Sequence, residues 1–556
     1  MNTNFVPRTR LRATLLAVLA VLLAVAALIV PAAAAPRNIV NIQILNVSDW
    51  HGQLDPSSGV GGAAVLSAYF KQDRAANPNT LTLTAGDSVG ATPPLSGFFG
   101  DVPAIRAMRL MGFDADTLGN HNFDSGLDRL QSQIDFAGST TEAGKPFTYL
   151  SANLKNVDAN VSGVAPYKIF EVGGVKVAVV GITNPEAPTL VLPGNFGTIE
   201  ITDPIAAANK ASAAARAAGA RVVIALIHAG VTGTDATGNA TGPLIDFANN
   251  VGGFDLILGD HTDIQYQGVH NNALVTENKS KGLAYSRVKL SLDPKNSRIV
   301  SRSVEFVTPL ASAVTPDQVI IDMLTPYRTQ LAATYDQKIG VATAKFPRGG
   351  SPSVERSGEA ALGNLIADAI RQRYGTQLAL YNGGSIRQSL PSSYAPQDTT
   401  LSRTTAPFDL VIGDVYAVLP FGNSVVTRSV TGVQLWAALE NGVSRLTVNT
   451  ATGVCSGADG RFPQISGFKF SVSCSAPVGA RITSVTLPDG TPITNDTVAT
   501  YSFATSNFVN AGGDGYTMFA DGQGVTRDLD ANVMLDYIKA QGTITPVVEG
   551  RITKLP

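Results

Sequence analysis

From Ile39 to about Glu305 the chain alternates short β-rich runs with helical segments, a rhythm that commits the stretch to a layered α/β domain. The runs cover residues 39–47, 80–84, 176–182, 221–227 and 254–258, and helical candidates fall at 63–76, 102–111 and 204–218. Asp203 can cap the last of these, Pro204 suits its first turn, and Gly219 ends it. Past residue 305 the pattern changes. Thr308-Pro309 and Thr315-Pro316 break structure, and residues 317–337 then read as one helix with Ile320, Met323, Leu324, Leu331 and Tyr335 as its apolar positions. Beyond it, helices near 359–374 and 432–441 mix with short strands set off by Gly and Pro, which reads as a second, α+β domain. The 556 residues are too many for one core. The division expected is a leader at 1–36, a first domain at 37–310, a linker with its helix at 311–340 and a second domain at 341–556.

Arg8, Arg10 and Arg12 precede an apolar run from Ala13 to Val30, then Pro31 and the small residues Ala32 to Ala35. That order is the one of a secretory signal, so the expected location is outside the cell or in its envelope. The run is also long enough to serve as a retained anchor, the one route by which a membrane would be a partner. Cys455 and Cys474 are the two cysteines. In an oxidising compartment a disulfide between them is favoured over two buried thiols. The formal net charge of -2 gives no basic surface for nucleic acid, and no stable nucleic-acid partner is expected. Oligomeric state is not readable.

The chemistry sits at the ends of the β-runs. All five histidines, His51, His121, His228, His261 and His270, fall in the first domain. Ile42, Ile44 and Val47 lead into Ser48-Asp49-Trp50-His51-Gly52, where Asp49 and His51 are two apart and share a direction on extended backbone. Leu81-Thr82-Leu83-Thr84 leads into Ala85-Gly86-Asp87-Ser88. Gly119-Asn120-His121-Asn122-Phe123-Asp124 follows, then Ile227-His228-Ala229-Gly230, and Leu258 leads into Gly259-Asp260-His261-Thr262-Asp263. In an open α/β sheet, ligands bind beyond the carboxyl ends of the strands, so these residues are expected to converge on one site. Each fragment alone is weak; the set in order is not. His270, in Gly268-Val269-His270-Asn271, joins no such motif and reads as structural.

The ordered set D-x-H-G, G-D, G-N-H-x-x-D, a strand-end His and G-x-H-x resembles the calcineurin-like metallophosphoesterases. With the second domain included, the chain resembles the 5'-nucleotidase and UDP-sugar hydrolase family. The resemblance implies two divalent metal ions, zinc, manganese or calcium. Asp49 and His51 would bind the first, Asp87 would bridge both, and Asn120, His228 and His261 would complete the second. Asp263 stands where the family usually has Gln or His as a further ligand of the first metal, and a carboxylate there favours harder ions. His121 and Asp124 match the family's catalytic dyad. In the second domain, Asn382-Gly383-Gly384-Ser385-Ile386-Arg387 resembles the segment whose Asn382 and Arg387 approach the nucleotide. Leu419-Pro420-Phe421-Gly422-Asn423 and Ser506-Asn507-Phe508 resemble the loops whose rings, Phe421 and Phe508, sandwich the base beside Asn423. Gly512-Gly513-Asp514-Gly515-Tyr516 resembles the segment whose Asp514 holds the ribose. Some members carry an Arg where Ala361 stands, so one phosphate or ribose contact is expected to be missing. The implied activity is release of phosphate from nucleoside monophosphates, with UDP-sugars or cyclic nucleotides as further substrates. An extracellular nuclease on the same metal core and a non-catalytic nucleotide-binding surface protein are the other readings.

Overall fold

The computed structural model describes Met1 and residues 39–296, 298–348, 354–449 and 453–555; apart from Met1, the expected leader lies outside the described residues. Among these no helix is long and apolar enough to cross a membrane.

Two sheets stack face to face in the first domain. The first runs in the order Arg298–Val307, Tyr285–Asp293, Val40–Val47, Thr80–Thr84, Ala115–Thr117, Thr148–Leu150 and Val164–Ala165. The second runs Tyr266–His270, Ala273–Glu277, Leu256–Leu258, Val222–Ile227, Val175–Ile182 and Tyr167–Val172. The central strands of each are parallel, and buried parallel strands need apolar side chains on both faces. Val40–Val47 shows how that is met. Ile42 and Ile44 point into the layer between the sheets, with Val177, Val179, Ile224 and Leu258 opposite. Leu45 and Val47 point the other way, onto Phe70 and Met108 of the helices Ala63–Ala76 and Val102–Met111. The second sheet alternates likewise: Ala178, Val180, Val223 and Ala225 meet the helices Pro204–Ala217 and Pro243–Asn250. Asp203 caps the former by accepting from the Ala206 N–H at 2.7 Å. The result is a four-layer sandwich of helices, two sheets and helices.

The linker helix Gln318–Tyr335 is capped by Asp317, whose carboxylate also holds Ser67 at 2.5 Å and Lys71 at 2.6 Å. Arg328 pairs with Asp55. At the far end the Tyr335 ring lies 5.5 Å from Phe98 of the first domain and 5.2 Å from Tyr416 of the second. One apolar cluster therefore runs from the first domain through Leu324 and Leu331 into Ile366 and Val415.

The second domain opens earlier than residue 341. Its strand Lys338–Ala342 pairs with Phe408–Val411 and with Thr543–Ile544. No Gly or Pro separates this strand from the helix before it, so the change of period is hidden in the text. A five-stranded sheet, Pro463–Ser466, Leu378–Asn382, Thr500–Ser506, Ser424–Thr431 and Val525–Leu529, forms its centre, and the helix Ala361–Tyr374 packs beside it. Cys455 and Cys474 form a disulfide. Because its loop spans 19 positions, chain entropy assigns it about 3 kcal/mol. A Cys455→Ala/Cys474→Ala variant is expected to lose that much in urea unfolding, and a reductant to reproduce the loss in the native protein.

Candidate active site

Every metal-capable residue of the sequence set stands just beyond a strand's carboxyl end. Val40–Val47 runs into Asp49 and His51, Thr80–Thr84 into Asp87, Ala115–Thr117 into Asn120 and His121, Val222–Ile227 into His228, and Leu256–Leu258 into Asp260, His261 and Asp263. Five of these residues have left-handed backbone: Asp49 (φ 37°), His51 (48°), Asp87 (49°), His261 (89°) and Asp263 (63°). Such conformations cost about 1–3 kcal/mol each and persist where the surroundings over-determine them. The turns fold back so tightly that a Cβ on Gly119 would come within 2.1 Å of Asp87 Oδ1. Glycine there lets the His121 N–H donate to that oxygen at 2.8 Å.

Three sets of donor atoms each lie within 4.8 Å of one another: His51, Asp87 and His121; Asp87, His228 and His261; Asp49, His228 and Asp260. Asp87 belongs to two of them. The imidazoles are oriented from behind. His51 Nδ1 lies 2.9 Å from Gly90 O and His228 Nδ1 3.0 Å from Ala85 O. Donation to a carbonyl makes Nδ1 a proton-bearing nitrogen and turns Nε2 toward the cluster. His228 Nε2 meets Asp87 Oδ2 at 2.9 Å, Asn120 Oδ1 at 3.2 Å and His261 Nδ1 at 3.1 Å. Asp49 Oδ1 is buried with no hydrogen-bond partner. An orphan carboxylate oxygen, crowded lone pairs and a shared carboxylate are what a pair of divalent cations would satisfy, so the donors fit that group. The electrostatics agree. Burial pushes the Asp49 carboxyl up to about 8. Burial works against the His228 imidazolium, but Asp87 and Asp49 outweigh it and lift the ring to about 9. Burial and His228 together push His261 down to about 3.

Asp263 stands outside the three sets, and its negative charge is felt by Lys281, Arg348 and Arg387. Asp260, which sequence reasoning passed over although it stands inside the Gly259-Asp260-His261 motif, accepts the Asp49 N–H at 2.8 Å and the His261 N–H at 3.0 Å. Glu277 was also missed; it takes the N–H groups of Val231, Thr262 and Ile264 and the Thr262 hydroxyl. These two carboxylates shape the His261 turn. His270 lies apart, engaged by Tyr266 and Asn249.

His121 Nδ1 lies 2.8 Å from Asp124 Oδ2, and the second domain closes over this pair. The Phe421 ring stacks on His121 at 5.6 Å and 19°. Arg387 lies over Phe421 at 5.8 Å, with Nη2 3.1 Å from His51 Nε2. Arg348, ion-paired to Glu355 at 2.6 Å, and Arg356 add charge. The Nε groups of Arg356 and Arg387 are buried without partners. Arg356 had no signal beyond standing three residues before Glu359. Ala361 begins a helix, and Arg356 brings a guanidinium to this cluster from outside that helix. Gly383 makes room for it: a Cβ there would meet Glu355 O at 2.1 Å.

Asn382 donates to Asp514 Oδ2 at 2.7 Å and accepts from Ser385 at 2.7 Å. Burial and the nearby Asp459 raise Asp514 to about 6. Asn423 O accepts the Asp530 N–H at 2.9 Å. Phe508 is largely buried in the second domain's core with its ring edge against Gly513, so it supports the Asp514 turn, and Phe421 is the ring brought to the dyad.

Residues 338–521 match the model of the 5'-nucleotidase C-terminal domain. Cell wall protein Lmo0130 of Listeria monocytogenes is 30% identical over 93% of this chain and 70% of its own length. The chain belongs to the 5'-nucleotidase family. The 5'-nucleotidase precursor of Thermus thermophilus superposes with a TM-score of 0.76 at 27% identity, covering 92% of this chain and 99% of that one. Endonuclease YhcR of Bacillus subtilis is 29% identical over 93% of this chain, which spans 41% of that protein's length.

Removing the Asp260 carboxylate leaves the buried Asp49 N–H without an acceptor, at a cost of about 1–3 kcal/mol, while the His261 N–H keeps Asp49 Oδ2 at 2.9 Å. Asp260→Ala is therefore expected to lower the denaturant midpoint; an unchanged midpoint contradicts the role given to Asp260.

Proposed function

We propose that the chain is an exported, metal-dependent phosphoric monoester hydrolase that releases phosphate from nucleoside 5'-monophosphates. The observation that carries this reading is the sharing of Asp87 between two donor sets, beside a His121–Asp124 pair capped by Phe421 and Arg387. Asp49, His51, Asp87 and Asp263 would hold one divalent cation, and Asp87, Asn120, His228 and His261 the other. Bound there, two such ions supply Lewis-acid stabilisation and a water of lowered pKa.

The protein's own groups do the rest. Asp124 keeps the proton of His121 on Nδ1, so Nε2 faces the reacting phosphoryl group, where it stabilises charge or protonates the leaving oxygen. Arg348, Arg356 and Arg387 offer planar donors to phosphoryl oxygens. Phe421 offers a stacking face, worth about 1–3 kcal/mol and tolerant of different bases. Asn382 holds the Asp514 carboxylate for the ribose hydroxyls. Export rests on the charge and hydropathy order of residues 1–36. The likeness to an endonuclease supports a second reading, phosphodiester cleavage on the same residues.

Purified protein with manganese is expected to release phosphate from AMP faster than it cleaves DNA strands, and EDTA to abolish release. His121→Ala should lower kcat by about 10²–10⁴-fold; wild-type turnover in that variant contradicts the dyad. A second test uses pH. The Asp514 pKa is raised to about 6, so its carboxylate is lost as pH falls through that value, and Arg461, Arg356 and Asn382 oppose the loss only in part. The KM for AMP should rise below pH 6 while that for p-nitrophenyl phosphate, which has no ribose, should follow a different profile. Parallel profiles count against Asp514.

A further inference from the structure

Lys281 has no role in the reading above, yet it touches both halves of the site. It lies on the loop after Ala273–Glu277, and its N–H donates to Asp49 O at 2.9 Å, which seats it on the turn that carries Asp49 and His51. Its ammonium crosses to the second domain and donates to Arg387 O at 3.0 Å. Arg387 returns the contact, with Nη2 3.1 Å from His51 Nε2. The two domains thus exchange donors through adjacent residues, and both crossings meet at the metal-capable cluster.

Stability does not explain this placement. Lys281 has Arg348, Arg356 and Arg387 as cationic neighbours, and among the described residues its ammonium forms no ion pair. The carboxylate in its field is Asp263, which is also felt by Asp49 as a like charge. Grouping like charges in a confined site is unfavourable unless something anionic binds there.

We propose that Lys281 is a positioning residue for phosphoryl recognition. It seats the Arg387 segment on the Asp49–His51 turn, holding Asp49 O at one end and Arg387 O at the other. The proposal rests on the monoesterase reading for its reaction, but not for its anion.

The test is binding of inorganic phosphate to the manganese-loaded, full-length protein by titration calorimetry, beside AMP kinetics. Lys281→Gln should weaken phosphate binding about tenfold, as loss of a charged hydrogen bond does. It should raise the KM for AMP similarly and change kcat less. Lys281→Arg should recover affinity to within about threefold. Thermal melts identify any variant that fails to fold, and Lys281→Arg then carries the comparison with wild type. Phosphate affinity within twofold of wild type in Lys281→Gln overturns the proposal. A wild-type protein that binds phosphate through Lys281 but leaves AMP intact overturns the monoesterase reading and keeps the role of Lys281. Absence of phosphate binding in the wild type overturns both.

Discussion

The Asp87 carboxylate is the point on which both halves of the candidate active site close. One oxygen takes the His121 N–H and the other meets His228, so strands of two different sheets are tied through a single side chain. Burial alone would raise this carboxyl, but His228 and His121 outweigh it and keep it well below the usual carboxylate range. The group is therefore ionised although it is 1% exposed. Beneath it, Asp116 accepts from the Gly86 N–H at 2.9 Å and from the Ser88 hydroxyl, which pins the residues on either side of Asp87. An anion fixed this rigidly in a dry place is costly to keep unless cations are meant to meet it.

The stack of layers exists to bring such residues together. Parallel strands in both sheets end at one edge, and the turns that follow accept left-handed backbone at five non-glycine positions. That strain is held by buried carboxylates acting as acceptors, Asp260 for Asp49 and His261 and Glu277 for the Thr262 turn. Burial pushes Asp260 well above and Glu277 up to about 8, which keeps added negative charge away from a site already rich in it. These residues set the shape of the turn more than its charge.

Much of this was legible in the sequence. The run 80–84 and the helical stretches 63–76 and 102–111 coincide with elements of the structure, because period and punctuation agree there. The strand-end motifs were legible for the same reason: a β-run sets where the next polar residue emerges. What the text hid was whatever depends on long-range approach. Lys338–Ala342 follows a helix without a break. Arg356 reaches the site only because Gly383 admits the backbone of Glu355. Lys281 sits in an ordinary-looking polar loop, and nothing local marks it. Phe508 illustrates the reverse: its motif suggests an open ring, while its surroundings, Val509, Tyr516 and Phe519, are those of a core.

The division between the domains then follows from where the charges lie. The first domain contributes the carboxylates and imidazoles, which attract cations and repel a phosphoryl anion. Arg348, Arg356 and Arg387 come from the second domain, and Phe421 comes with them to cover His121. Each half alone is electrostatically one-sided: one gathers carboxylates, and the other gathers Arg348, Arg356 and Arg387, of which Arg348 is ion-paired to Glu355. The linker helix resolves this by anchoring at both ends, through Asp317 to Ser67 and Lys71 and through Tyr335 to Phe98 and Tyr416. Its length sets how the two surfaces meet, and an anionic ligand between them satisfies both at once. Lys281 is the exception that fits the rule, a first-domain cation placed where the second domain's arginines begin.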